Sequence, residues 1–291
     1  MKQLLLIGLL TVAFGGSARA IDYPSLAAVK RLRAENRPDE ALQKLEALAA
    51  ATDDPAENFT YVSQAVDIAV DTLKNADRAL ALAATIKDRQ LQDFAHLRVL
   101  ADFQRYDEAL TFTSDKSIDQ WPVRVRGQAH GILAGIYHAK KDDAAELAEW
   151  QRAAASPGAE VAVRGRALCE SGMLLLKQGD AVSAEVQFRQ ALAVTPANYA
   201  WRVDGLIALS QILVKQQRAK EAVQAFDGVD YAKVTSVVAR GNLLEAYARA
   251  LLAAGKKIRA IETFDRLLTL DLPAAWKTRI NNELDRMAEE F

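Results

Sequence analysis

Residues 177–196 read Lys-Gln-Gly-Asp-Ala-Val-Ser-Ala-Glu-Val-Gln-Phe-Arg-Gln-Ala-Leu-Ala-Val-Thr-Pro. Ala191, Leu192 and Val194 follow Ala184 and Phe188 at the three- and four-residue steps that place side chains on one helical face. The pattern recurs. Gly179, Ala184, Phe188 and Ala191 return as Gly255, Ala260, Phe264 and Leu267, two steps of 38 residues on, and Gln217, Ala222 and Phe226 fill the step between. One step earlier stand Trp150 and Ala153, with Glu146 where the small alanine belongs. Alternation with period two is not sustained anywhere, so the pattern predicts helices and no strands. Pro38 suits the first turn of a helix. Pro55, Pro157, Pro196 and Pro273 each follow a helical pattern and are expected to stop it.

This pattern resembles the tetratricopeptide repeat, in which a helix A and a helix B alternate, with small residues where they touch. In that resemblance Gly172 takes the small position of helix A, and Lys177-Gln178-Gly179-Asp180 the turn between the helices. Ala184 and Ala191 take the close contacts of helix B, Phe188 its aromatic wedge and Pro196 the exit. Tyr106-Asp107-Glu108-Ala109 and Pro38-Asp39-Glu40-Ala41 repeat the turn into helix B, and a weaker copy ends at Ala79. Units are expected to begin near residues 22, 60, 90, 127, 165, 203 and 241. The family's unit is about 34 residues, so a 38-residue step implies a longer helix A or a longer connection. The expectation is an all-α, tetratricopeptide-like α-α superhelix over 21–291, with about seven hairpins. A closing helix near 274–290 would follow, its Asn281-Asn282-Glu283 suited to a capping surface.

Residues 1–20 read differently. Lys2 gives a positive start, Leu4–Gly16 is apolar, and Ser17-Ala18-Arg19-Ala20 offers an Ala-x-Ala cleavage site. This is the pattern of a secretory signal peptide, cleaved after Ala20 to leave a periplasmic or secreted chain beginning at Ile21. No cysteine follows the site to take a lipid, and no later stretch is apolar enough to span a membrane. The 291-residue chain approaches the size at which single cores stop growing, a limit that a solenoid avoids by burying each hairpin only against its neighbours. With 37 basic and 38 acidic residues the net charge is −1, so a general attraction to nucleic acid or anionic lipid is not indicated. Cys169 is the single cysteine, which rules out an internal disulfide framework.

Motifs for chemistry are missing. His96, His130 and His138 form no His-Glu-x-x-His arrangement, and the eight-residue step from His130 to His138 is too long for a two-ligand site on one helix. They read as ordinary histidines of a repeat helix, and Cys169 as a packing residue. There is neither a phosphate-cradling glycine loop nor a Gly-x-Ser-x-Gly elbow. Asp53-Asp54 and Asp142-Asp143 fall in expected turns, where they suit helix caps. No catalytic residue, metal site or cofactor is therefore assigned. Trp150 occupies a wedge position; Trp121, Trp201 and Trp276 precede expected helices, where they shield repeat joints or anchor a ligand.

The leading functional expectation is a non-enzymatic extracytoplasmic scaffold that binds a protein or peptide in its groove. By the resemblance, the groove is lined by Arg166, Cys169, Met173, Leu176 and Lys177, then by Asp204, Ile207, Gln211, Val214 and Lys215. The family's clamp for chaperone tails needs an asparagine where this chain has Glu170 and Ala208. The strip instead suits a segment with apolar side chains and at least one acidic group. Two other readings compete: an enzyme or accessory protein of cell-wall glycan metabolism, which needs a glutamate in a cleft beside aromatic subsites, and a structural protein that self-associates through its ends.

Overall fold

The computed structural model describes residues 26–194 and 201–289, and its contacts divide the chain into two units at Glu160 and Val161. The first unit holds four helical hairpins. They are α1 (Leu26–Ala34) with α2 (Pro38–Ala51), α3 (Pro55–Asp67) with α4 (Ala76–Ala83), α5 (Arg89–Asp102) with α6 (Tyr106–Thr113), and α7 (Val123–Lys140) with α8 (Asp143–Ala155). A π-helical turn, Ile68–Thr72, extends α3. The second unit holds three more: α9 (Val161–Lys177) with α10 (Ala181–Ala193), α11 (Trp201–Lys215) with α12 (Ala219–Gln224), and α13 (Val237–Ala253) with α14 (Lys257–Leu268). A closing helix, α15 (Ala274–Glu289), follows. Among the described residues there is no strand, and each unit is an all-α stack of hairpins, as the period predicts.

The turns explain why the hairpins recur. Two residues before each B helix stands a left-handed residue: Asn36, Lys74, Gln104, Lys141, Gly179, Gln217 and Gly255. In six of the seven, the next N–H donates to the carbonyl five residues back, as Asp180 does to Leu175 and Arg218 to Leu213. This is the Schellman closure of a helix end. Asn75 reaches back six residues, to Ala69, because the π turn adds one. Glycine removes the Cβ penalty of the left-handed conformation at Gly179 and Gly255; elsewhere the closure is held by residues that carry the strain.

Inside each hairpin the expected contacts form. Ala41, Ala79, Ala109, Ala184, Ala222 and Ala260 have no exposed surface, and Phe188 and Phe264 are likewise fully buried. A Cβ on Gly172 would come within 2.7 Å of the Phe188 ring, so the small residue is what lets the wedge reach helix A. The 38-residue step is accounted for by longer A helices. α9 and α13 run 17 residues and begin four residues ahead of the expected 165 and 241. Pro55 departs from its expected role: it opens α3 as the first helical residue, behind an Asp54 cap that accepts from Ala56 N at 2.7 Å. Asp142 caps α8 in the same way. Pro196, the signal pattern and the start near residue 22 lie outside the described residues.

Candidate functional site

In the second unit α9 packs beside α11, and α11 beside α13. Three A helices therefore present neighbouring faces. On α9 the solvent side carries Arg166, Glu170, Met173, Leu176 and Lys177, spaced by three and four residues. Met173 keeps 43% of its surface exposed, unusual for a large apolar side chain. On α11 the corresponding side carries Asp204, Ile207, Gln211, Val214 and Lys215, with the two apolar residues half-buried and the three polar ones exposed. Nine of the ten groove residues read from the sequence thus reach solvent on two adjacent helices.

Cys169 does not. It is 3% exposed, and its Sγ donates to the Trp201 carbonyl at 3.3 Å. The reason lies on the facing helix: Gly205 has no side chain, and a Cβ there would sit 3.4 Å from the sulfur, so α11 closes over this position. Burial pushes the thiol up to about 12, which makes it a packing group and no nucleophile.

Asp204 lies across the same joint. Its carboxyl is pushed above the usual range by desolvation, although the side chain keeps open surface. A group that is both accessible and desolvated sits in a recess. Arg166 pairs with Glu170 along α9 at 3.5 Å. On α13 the face ends in ionic contacts: Glu245 accepts from Arg279 at 2.6 and 2.8 Å, from Arg249 at 2.9 Å and from Trp276 Nε1 at 2.7 Å. Burial works to raise the Glu245 carboxyl, but the bonds from Arg279, Arg249 and Trp276 outweigh it and hold it below the ordinary carboxylate range. Glu245 and Arg249 were missed in the sequence. They fall one 38-residue step beyond Ile207 and Gln211, so extending the period would have found them.

The tryptophans are consumed by packing. Trp121 and Trp150 are buried. Trp201 lies on Gly165, and Trp276 lies on Gly241, where a Cβ would meet its ring at 3.0 Å. The histidines bind carboxylates within the first unit. His130, 2% exposed, has Nδ1 2.7 Å from Glu149 and Nε2 3.2 Å from Asp119. His138 Nδ1 is 3.0 Å from Glu146, the glutamate that replaces the small alanine and also accepts from Trp150 Nε1 at 3.3 Å. Among the described residues no cluster of His, Cys, Asp or Glu could hold a metal ion, and no helix is long and apolar enough to cross a membrane.

No family model matches the sequence, and no curated protein matches it either. Among solved structures, a tetratricopeptide repeat protein from Parabacteroides merdae is 12% identical over 88% of this chain and 95% of its own, with a TM-score of 0.44. The TPR domain of P58(IPK) is 15% identical over 91% of this chain and 79% of its own, with a TM-score of 0.34. Naa15/Naa10 bound to HypK-THB is 15% identical over 84% of this chain, with a TM-score of 0.37; the match spans 36% of that neighbour's length. The tetratricopeptide-like character of the hairpins rests on their own geometry: the alanine contacts, the aromatic wedge against Gly172 and the repeated turn.

Proposed function

We infer that this chain is a non-enzymatic scaffold that works outside the cytoplasm and docks a peptide or protein segment on the solvent face of α9 and α11. The observation that carries this reading is the strip itself. Exposed Met173 and half-buried Ile207 and Val214 form an apolar track, with Lys177 and Lys215 at the same end of neighbouring helices. A segment with apolar side chains and an acidic group complements it. The extracytoplasmic placement is supported by the signal pattern of residues 1–20. A glycan-processing reading needs open aromatic subsites, and the tryptophans that could form them are engaged in repeat joints.

Affinity capture from the native extracytoplasmic fraction supplies the partner for the test. Lys177→Glu combined with Lys215→Glu then weakens its binding while the melting temperature is unchanged. Full binding by the folded double variant removes this face from consideration. N-terminal sequencing of the native protein tests the location: Ile21 as first residue supports it, and an intact Met1 in the membrane fraction contradicts it.

A further inference from the structure

α11 carries an unpaired charge at each end of its solvent face. Asp204 lies in the first turn and Lys215 is the last residue. Neither has an ion-pair or hydrogen-bond partner among the described residues. The charges beside them are committed: Arg166 to Glu170 on α9, and Glu245 to Arg249 and Arg279 on α13 and α15. The helix dipole favours an acid at the start and a base at the end. That effect accounts for the signs, but it works equally well in open solvent and does not call for a recessed carboxylate. Asp204 stands against the buried Cys169, where it adds to the forces raising that thiol. An accessible anion there, partly stripped of water, is complementary to a cation.

Between the two charges run Ile207 and Val214, with Met173 beside them on α9. Eleven residues of helix separate Asp204 from Lys215, about 16 Å at 1.5 Å per residue. An extended chain covers that distance in about five residues. Packed helices lie about 8–10 Å apart, which leaves a strip narrower than the 10–12 Å diameter of a helix, roughly speaking. We propose that the α9–α11 strip selects an extended, bipolar peptide segment, with a carboxylate at the Lys215 end, a cationic group at Asp204 and apolar side chains between. This specifies the chemistry of the partner and rests on the docking reading above.

Three fluorescent nonapeptides test it, identical except at two positions five residues apart, which carry arginine and glutamate, two glutamates or two arginines around a leucine–valine centre. Fluorescence anisotropy with the full chain shows the arginine–glutamate peptide binding tightest, by about three- to ten-fold. Asp204→Lys moves the preference to the two-glutamate peptide, and Lys215→Glu moves it to the two-arginine peptide. Asp204→Asn, which keeps the shape of the side chain, erases the advantage of the bipolar peptide. The same ranking in wild type and in the Asp204 variants overturns the proposal. If all three peptides then bind alike and Lys177→Glu with Lys215→Glu weakens them all, the bipolar claim fails while the docking reading stands. No binding of any peptide at millimolar concentration overturns both.

Discussion

The two units solve one packing problem with different chemistry. Up to residue 160 the interior takes in ionisable groups: Asp93, His130, Glu146 and Glu149 are all buried. From Val161 on, the buried polar residues among those described are Ser171, Ser210 and Thr263, and the joints are closed by glycine against aromatic rings. The contrast is sharpest between two hairpins of the same pattern. In α9–α10 the contact is Ala184 and Phe188 against Gly172. In α7–α8, Glu146 replaces the alanine, and the helices are tied by His138 and Trp150 to its carboxylate and by His130 to Glu149. Apolar contact is indifferent to pH, whereas buried pairs become costly when one partner is removed or changes charge. The first unit should therefore respond to pH and to charge deletion, and the second to changes of shape.

The largest effect is expected in the apolar hairpin. Phe188→Ala empties a fully buried site and should cost about 3–5 kcal/mol, with hydrogen exchange accelerating first across α9 to α11 because solenoid stability is local. Unchanged protection there would mean that the repeat register is misplaced. His130→Ala should cost somewhat less, about 2–3 kcal/mol, since it strips the buried Glu149 of one partner and leaves only Arg152, at 2.6 Å. A loss below about 0.5 kcal/mol in chemical denaturation would show that the pair is incidental.

The pH response can be followed at Asp102. Burial, with Asp67 and Asp71 nearby, raises its carboxyl to about 6 against the opposing pull of Arg98. The folded chain thus holds a proton between about pH 4 and 6 that the unfolded chain has released, and stability falls as pH rises through that window. Asp102→Asn should flatten the fall by up to about 2–3 kcal/mol. An unaltered stability–pH curve in that variant would break the contrast between the units. The smallest effect belongs to a turn. Gly179 has φ +87°, and a Cβ there would meet no neighbour within 4 Å, so Gly179→Ala should cost only the backbone penalty, about 1 kcal/mol, measured by urea unfolding.

The hairpins were legible in the sequence because their determinants are local. A left-handed turn, an alanine four residues before an aromatic wedge and a fixed step together define the backbone. Glu146 was legible as a departure, but its pairing with His138 was not, since partners across a hairpin follow from side-chain direction and not from spacing. Cys169 was misplaced for a related reason. Borrowed groove positions assume the family's spacing, and here the facing Gly205 draws α11 over the sulfur. A signal for the joints was present in Gly127, Gly165 and Gly241, which keep the repeat step. The tryptophans that fill two of them, Trp201 and Trp276, follow about one unit later.

The claim that the α9–α11 face is the docking surface has a direct spectroscopic reporter. The chain contains three methionines; Met173 lies on the strip, 43% exposed, and Met287 is buried on α15. Methyl-labelled methionine NMR, with the arginine–glutamate peptide added in steps, follows both at once. The account predicts that the Met173 methyl resonance moves in a saturable way while Met287 stays fixed. Binding detected by anisotropy with an unmoved Met173 resonance would contradict it.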